Sequence, residues 1–155
     1  MKDQDIKKLR AEVIEKFISL EILVSAIITQ HYFHILEKNF LTQVLYDEYF
    51  NFGLKHHILR KITERPDNKV LDKLYNLNKI RNTFAHSGLF FTEVTSGRQG
   101  FINTRKLDNE IDFQKLFEEY CDLEKPVFDY LGKVFKEKGG LFLSEEEHEN
   151  LIKKK

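Results

Sequence analysis

Apolar residues return at steps of three and four from the first turns of the chain onward. Between Asp5 and Lys38 they fall at Ile6, Leu9, Val13, Phe17, Leu20, Val24, Ile27, Ile28, Phe33 and Leu36, which is the spacing of a helix face. The pattern predicts one long first helix, about 50 Å if unbroken at about 1.5 Å per residue. From Leu20 to Phe33 the apolar face widens almost all round, as expected for a segment in the middle of a bundle or beneath a partner. Asn39 is positioned to cap a second helix carrying Leu41, Val44, Leu45 and Tyr49, with Gly53 at its end. A third, short helix is expected from Leu54 to Glu64, stopped by the RPDN break at residues 65–68.

Asp67 reads as the N-cap of a fourth helix that runs to His86 or Ser87, with Gly88 as its left-handed C′ residue. Beyond it, residues 89–94 (LFFTEV) and 101–105 (FINTR) are aromatic and β-branched runs flanking TSGRQG, the pattern of a small β-hairpin or a pair of ordered loops. Asp112 opens a last long helix with Phe113, Leu116, Phe117, Tyr120, Leu123, Val127, Tyr130, Leu131, Val134 and Phe135 on one stripe. Pro126 is expected to bend it and residues 136–140 (KEKGG) to end it. The expected fold is therefore all-α: an up-and-down bundle of about five helices with a small β-hairpin between the last two long ones. One helical domain is expected over residues 1–140, and residues 141–155, with acidic and basic runs, read as a charged tail.

Composition narrows this picture in three ways. A chain of 155 residues with only 7 Gly and 2 Pro suits one core and argues against a many-turned β-sandwich. The single cysteine, Cys121, excludes an intramolecular disulfide framework and a cysteine-based zinc site, and is expected as an ordinary thiol at the edge of the core. The polar start and the Glu21 interruption of the longest apolar stretch point to a cytoplasmic chain without leader or membrane span.

The net charge of zero conceals an uneven distribution. Six basic residues face eight acidic ones in 1–53, eleven face four in 54–106, and eight face thirteen in 107–155. The middle segment, with Lys55, Arg60, Lys61, Lys69, Lys73, Lys79, Arg81, Arg98 and Arg105 among its cations, is able to present a positive field to a polyanion. The same residues equally describe solvated helix faces.

One cation stands out by position. At about 100° per residue, Val70, Leu74, Leu77, Phe84 and Ala85 share one face of the fourth helix, and Arg81 falls near the centre of that stripe. A guanidinium there must pair with an acid, snorkel outward, or face a polar cavity or subunit seam, because an unpaired charge in an apolar site costs several kcal/mol. Asn82 and His86, four residues apart, are expected to flank the stripe, so that three polar groups border one groove. In the last helical turn the carbonyl ends would favour an imidazolium at His86. The plain structural alternative pairs Arg81 with a core-edge acid such as Glu15 or Glu21, leaves Asn82 as an exposed residue and has His86 interact only with the helix end.

The string IRNTFAHS, Ile80 to Ser87, resembles the R-N-x-x-x-H variant of the R-x4-6-H signature of the HEPN superfamily of helical-bundle proteins. Four residues separate Arg81 from His86, and Asn82 occupies the polar position that often comes after the arginine. The resemblance implies a metal-independent endoribonuclease, a toxin or antiphage effector, whose cleft is shared by two protomers. Arg81 would then bind the scissile phosphate, His86 act as general acid or base, and Asn82 orient one of them or the phosphate. Lys79, Arg98 and Arg105 are candidate RNA contacts. RNA, a second copy of the chain, and a neutralising antitoxin or regulatory partner are the partners implied. Where one toxin branch of the superfamily carries a modifiable tyrosine two residues after the histidine, this chain has Gly88, so neutralisation by that route is not expected.

A second reading, from a different class, is a catalytically silent HEPN-like regulator, similar to mannitol-operon repressors, whose Arg81–His86 cleft binds a nucleotide or protein partner. A third is a helical interaction scaffold. His31 with His34, and His56 with His57, lack the convergent spacing of a metal site. TSGRQG lacks the P-loop pattern and its lysine, so neither metal nor cofactor is expected.

Overall fold

In the computed structural model of the chain, residues 3–34, 37–47, 50–64, 66–96 and 112–140 are described, 87–96 by backbone alone, and all regular structure among them is helical. Helix α1 spans Asp3–Phe33. It stops short of Lys38 because His34 takes a left-handed φ of 57°, a conformation held by the Gln30 side-chain amide, which donates to the His34 carbonyl at 2.8 Å. The short α2, Lys38–Phe40, is capped by the Glu37 carboxylate, which accepts from the Phe40 N–H, and not by Asn39. It passes into a π-helical turn, Leu41–Leu45. Gly53 does not end this segment. Asn51 starts α3, Phe52–Ile62, by accepting from the Leu54 N–H at 3.1 Å, and Gly53 lies in its first turn.

Asp67 caps α4, Asn68–Ser96, accepting from the Lys69 N–H at 3.0 Å and the Val70 N–H at 3.3 Å. This helix runs through Gly88, and residues 89–94, expected as the first hairpin strand, are helical. A single interior glycine costs a helix only about 1 kcal/mol, too little to end one against continued apolar periodicity. The second expected strand, 101–105, and the tail, 141–155, lie outside the described residues. Asp112 caps α5, Phe113–Glu137, accepting from the Lys115 N–H at 3.1 Å, and Pro126 lies inside the helix without ending it. Gly139, at φ 85°, supplies the left-handed turn beyond its end.

Two compact units divide the chain. The first comprises Met1–Ile22 and Arg65–Asp129. Its core takes Val13, Phe17 and Leu20 from α1, Leu71, Leu74, Leu77, Ile80 and Phe84 from α4, and Leu116, Tyr120 and Val127 from α5. The Phe84 ring meets Phe113 at 5.3 Å between centroids. Lys16 Nζ donates to Glu124 Oε2 at 2.7 Å and ties α1 to α5. The second unit comprises Leu23–Glu64 and Tyr130–Lys155. Here Val24, Ile27 and Ile28 are buried with Leu45, Leu59, Leu131 and Val134. Fully burying each such side chain is worth about 1.5–3 kcal/mol. Among the described residues no helix is long and apolar enough to cross a membrane.

Candidate functional site

Helix α4 buries Leu71, Leu74, Leu77, Ile80 and Phe84. At about 100° per residue these cover half of the helix circumference, and Arg81 lies at the middle of that arc. The sequence expectation of a core-facing arginine therefore holds, yet Arg81 is only half-buried. Its guanidinium lies over the Phe17 ring of α1, 4.8 Å from the centroid, a contact worth about 0.5–2 kcal/mol. One arm of the fork, Nη1, donates to Asn82 Oδ1 at 2.8 Å. Among the described residues Arg81 pairs with no carboxylate, so the ion pair with Glu15 or Glu21 is not made. The aromatic face replaces it, giving the cation a partner without neutralising it and leaving further N–H donors for a ligand.

Asn82 is half-buried beside Arg81. The structure joins these two residues and leaves His86 apart. The imidazole is exposed, and among the described residues it has no hydrogen-bond or ion-pair partner. Five residues of helix rotate it about 140° from Arg81, so the expected groove bordered by all three side chains does not form on one face of α4. Because α4 continues to Ser96, His86 also lies well inside the helix rather than in its last turn, and the carbonyl-end field invoked for its imidazolium is lost. Lys79 is exposed, with its Nζ 4.6 Å from the centroid of the Tyr75 ring. The pair offers a cation and a ring on the open side of α4. Arg98 and Arg105 lie outside the described residues.

Two side chains within reach of the Arg81 charge, Phe17 and Tyr120, were not legible as site residues. Phe17 and Tyr120 occupy ordinary apolar-stripe positions on their own helices, and both are fully buried. The Tyr120 hydroxyl is buried, and among the described residues it has no hydrogen-bond partner; the same is true of Asn78 Oδ1, one turn before Arg81 on α4. Leaving a buried polar atom unsatisfied costs about 1–3 kcal/mol. Burial pushes the Tyr120 phenol well above its ordinary acidity range, the Glu124 carboxylate and Cys121 add to the rise, and the charge of Arg81 opposes it. Tyr120 therefore stays an O–H donor at every ordinary pH.

Half-buried Cys121 has its thiol pushed up by burial, against the pull of Lys16, the opposite of what a nucleophilic thiolate needs. Among the described residues no group of three or more His, Cys, Asp or Glu side chains is placed to hold a metal ion. No protein-family model matches the chain, and no curated protein or solved structure is significantly similar to it.

Proposed function

We propose that this chain is a HEPN-type, metal-independent endoribonuclease that cleaves RNA by attack of a ribose 2′-hydroxyl on the adjacent phosphate, in a cleft formed by two copies of the chain. The observation that carries the reading is Arg81: a cation at the centre of the buried face of α4, held by Phe17 and Asn82 with no neutralising carboxylate among the described residues. Such a group suits the extra negative charge of a pentacoordinate phosphorane. The reaction also needs a proton removed from the 2′-hydroxyl and one delivered to the leaving 5′-oxygen. His86 is exposed and uncommitted among the described residues, and is the nearest imidazole in sequence to Arg81.

The rotation between Arg81 and His86 supports the two-copy cleft. One chain turns its guanidinium and imidazole to different faces, whereas a two-fold seam brings the arginine of one copy to the histidine of the other and supplies two imidazoles, acid and base. Asn82, fixed on Arg81, orients the guanidinium. Products would be a 2′,3′-cyclic phosphate and a 5′-hydroxyl, and DNA would not be cut. In the cell this activity fits a toxin or antiphage effector held in check by a partner. The second reading, a silent regulator or binding module, is favoured by the lack of an orienting partner for His86 among the described residues.

The test is cleavage of mixed-sequence RNA in EDTA by wild type, Arg81→Ala and His86→Ala. Each substitution is expected to lower the rate at least about a hundredfold, the scale of a lost general acid–base or charge-stabilising group. Absence of cleavage by the wild type selects the binding module, and cleavage indifferent to both substitutions removes the site.

A further inference from the structure

The solvent side of α4 carries four chemically distinct groups in one line. Tyr75, Lys79, Asn82 and His86 stand at i, i+4, i+7 and i+11, within about 60° of one another around the axis and over about 16 Å along it. Tyr75, Lys79 and His86 are exposed and Asn82 is half-buried. Side-chain contacts anchor the line at two points. The Lys79 ammonium lies 4.6 Å from the centroid of the Tyr75 ring, and Asn82 Oδ1 accepts from Arg81 Nη1 at 2.8 Å, which ties the guanidinium to this row. The sequence from Lys73 to Thr92 contains no Asp or Glu, and neither Lys79 nor Arg81 forms an ion pair among the described residues.

Leu71, Leu74, Leu77, Ile80 and Phe84 fill the core from the opposite side of the helix, so packing does not call for an aromatic ring at position 75, where Tyr75 is 40% exposed. A ring and an ammonium on a surface without carboxylates match the two parts of a single-stranded nucleotide: any base stacks on an aromatic face, and cations follow the phosphates. We propose that Tyr75 and Lys79 form a base-stacking subsite for single-stranded RNA, which holds one nucleotide beside the Arg81–Asn82 pair and lays the strand along α4 toward His86. The proposal takes RNA from the ribonuclease reading and narrows it to unpaired RNA, because a base inside a duplex is stacked on its neighbours and has no face to give to Tyr75.

The incoming base takes the ring face that the ammonium covers, and Lys79, on its flexible four-carbon stem, moves to the adjoining phosphate. Ring and cation then act on different parts of the same nucleotide. The ring's share is insensitive to salt, whereas the lysine's falls as salt rises, so the two are separable. A plain i,i+4 contact between ring and ammonium would support the helix and leave RNA indifferent to both residues.

The experiment measures binding of a short fluorescein-labelled RNA of mixed sequence, single-stranded and annealed to its complement, to protein carrying His86→Ala so that the RNA stays intact. Adding Tyr75→Leu is expected to weaken single-strand binding about tenfold, the scale of one base–aromatic stack, and to leave duplex binding unchanged, while Tyr75→Phe binds as its parent does. Lys79→Gln is expected to lower the slope of log affinity against log salt by about 0.7, one phosphate contact on a single strand, whereas Tyr75→Leu keeps the slope. Both positions are exposed, so each variant should retain the parent's Tm. Full single-strand affinity in the Tyr75→Leu protein overturns the proposal, and so does an equal loss on single strand and duplex. His86-dependent cleavage by the parent chain together with Tyr75-independent binding removes the subsite alone. Tyr75-dependent binding without cleavage by the parent chain supports the subsite and removes the ribonuclease reading. No RNA binding by any form overturns both.

Discussion

The two compact units treat buried polar groups in opposite ways. In the second, Thr29, Gln30, Lys55 and Thr63 are buried, and each has visible employment. Thr29 donates to the Ser25 carbonyl at 2.8 Å, Thr63 to the Leu59 carbonyl at 2.8 Å, and Gln30 holds the end of α1. The Lys55 ammonium lies 5.2 Å from the centroid of the Tyr46 ring. Ser25, with an unsatisfied hydroxyl among the described residues, is the exception. In the first unit three buried atoms, Arg10 Nε, Asn78 Oδ1 and the Tyr120 hydroxyl, have no hydrogen bond among the described residues. Satisfied buried groups stabilise a fold, whereas unsatisfied ones weaken it and point toward a ligand that completes them.

The comparison is strained hardest at Phe17, which serves both packing and Arg81. Phe17→Ala should cost about 3–5 kcal/mol through the cavity it leaves, read as a lower midpoint in urea. Phe17→Leu separates the two roles. It keeps most of the volume and should cost under about 1.5 kcal/mol, yet it removes the aromatic face and so should lower RNA affinity. If Phe17→Leu binds RNA as wild type does, the cation–ring contact is structural only and the contrast between the units weakens.

Next in size is Gln30, the counterpart of Tyr120 in the second unit. Gln30→Leu removes the donor to the His34 carbonyl and should destabilise by about 0.5–1.5 kcal/mol, measured by thermal unfolding, with RNA binding unaffected. A neutral Gln30→Leu would mean that the left-handed turn at His34 holds without its side-chain bond.

Local chemistry was the most legible part of this sequence. Asp67 and Asp112 cap the helices they precede because a cap is decided within three residues. The position of Arg81 on the buried arc also came from arithmetic along one helix. What failed needed longer-range information. Gly88 has the composition of a helix stop, but whether a glycine ends a helix depends on the packing of the residues beyond it, and α4 goes on to Ser96. Glu37 displaced Asn39 as a cap because the next segment winds as a π-helical turn, which a 3.6-residue period does not foresee. Phe17 and Tyr120 looked like core because they are core. Their relation to Arg81 comes from helices more than thirty residues away in sequence. The separation of His86 from Arg81 was, by contrast, present in their spacing, since five residues of helix cannot bring two side chains to one face.

The smallest expected effect is a difference in pH response, and it tests the comparison without touching RNA. In the first unit Tyr120, Cys121 and Lys16 all hold their protons more tightly than usual, the first two through burial and Lys16 through its bond to Glu124. Raised values contribute stability below the ordinary range of each group and lose it as pH climbs, so the first unit should weaken on the alkaline side. In the second unit burial lowers His31, aided by Lys138 and His34. That contribution is present above the ordinary histidine value and fades as pH falls, so acid should tell there. Tyr120→Phe isolates the alkaline limb. Below about pH 9 both proteins should lose stability in parallel, and above about pH 10 the wild type should fall faster, the gap reaching on the order of 1 kcal/mol by pH 11 because the unfolded phenol ionises while the buried one cannot. Thermal unfolding of the two proteins across that range measures it. Parallel curves throughout would mean that the phenol reaches solvent and is no longer a buried polar group to set against those of the second unit.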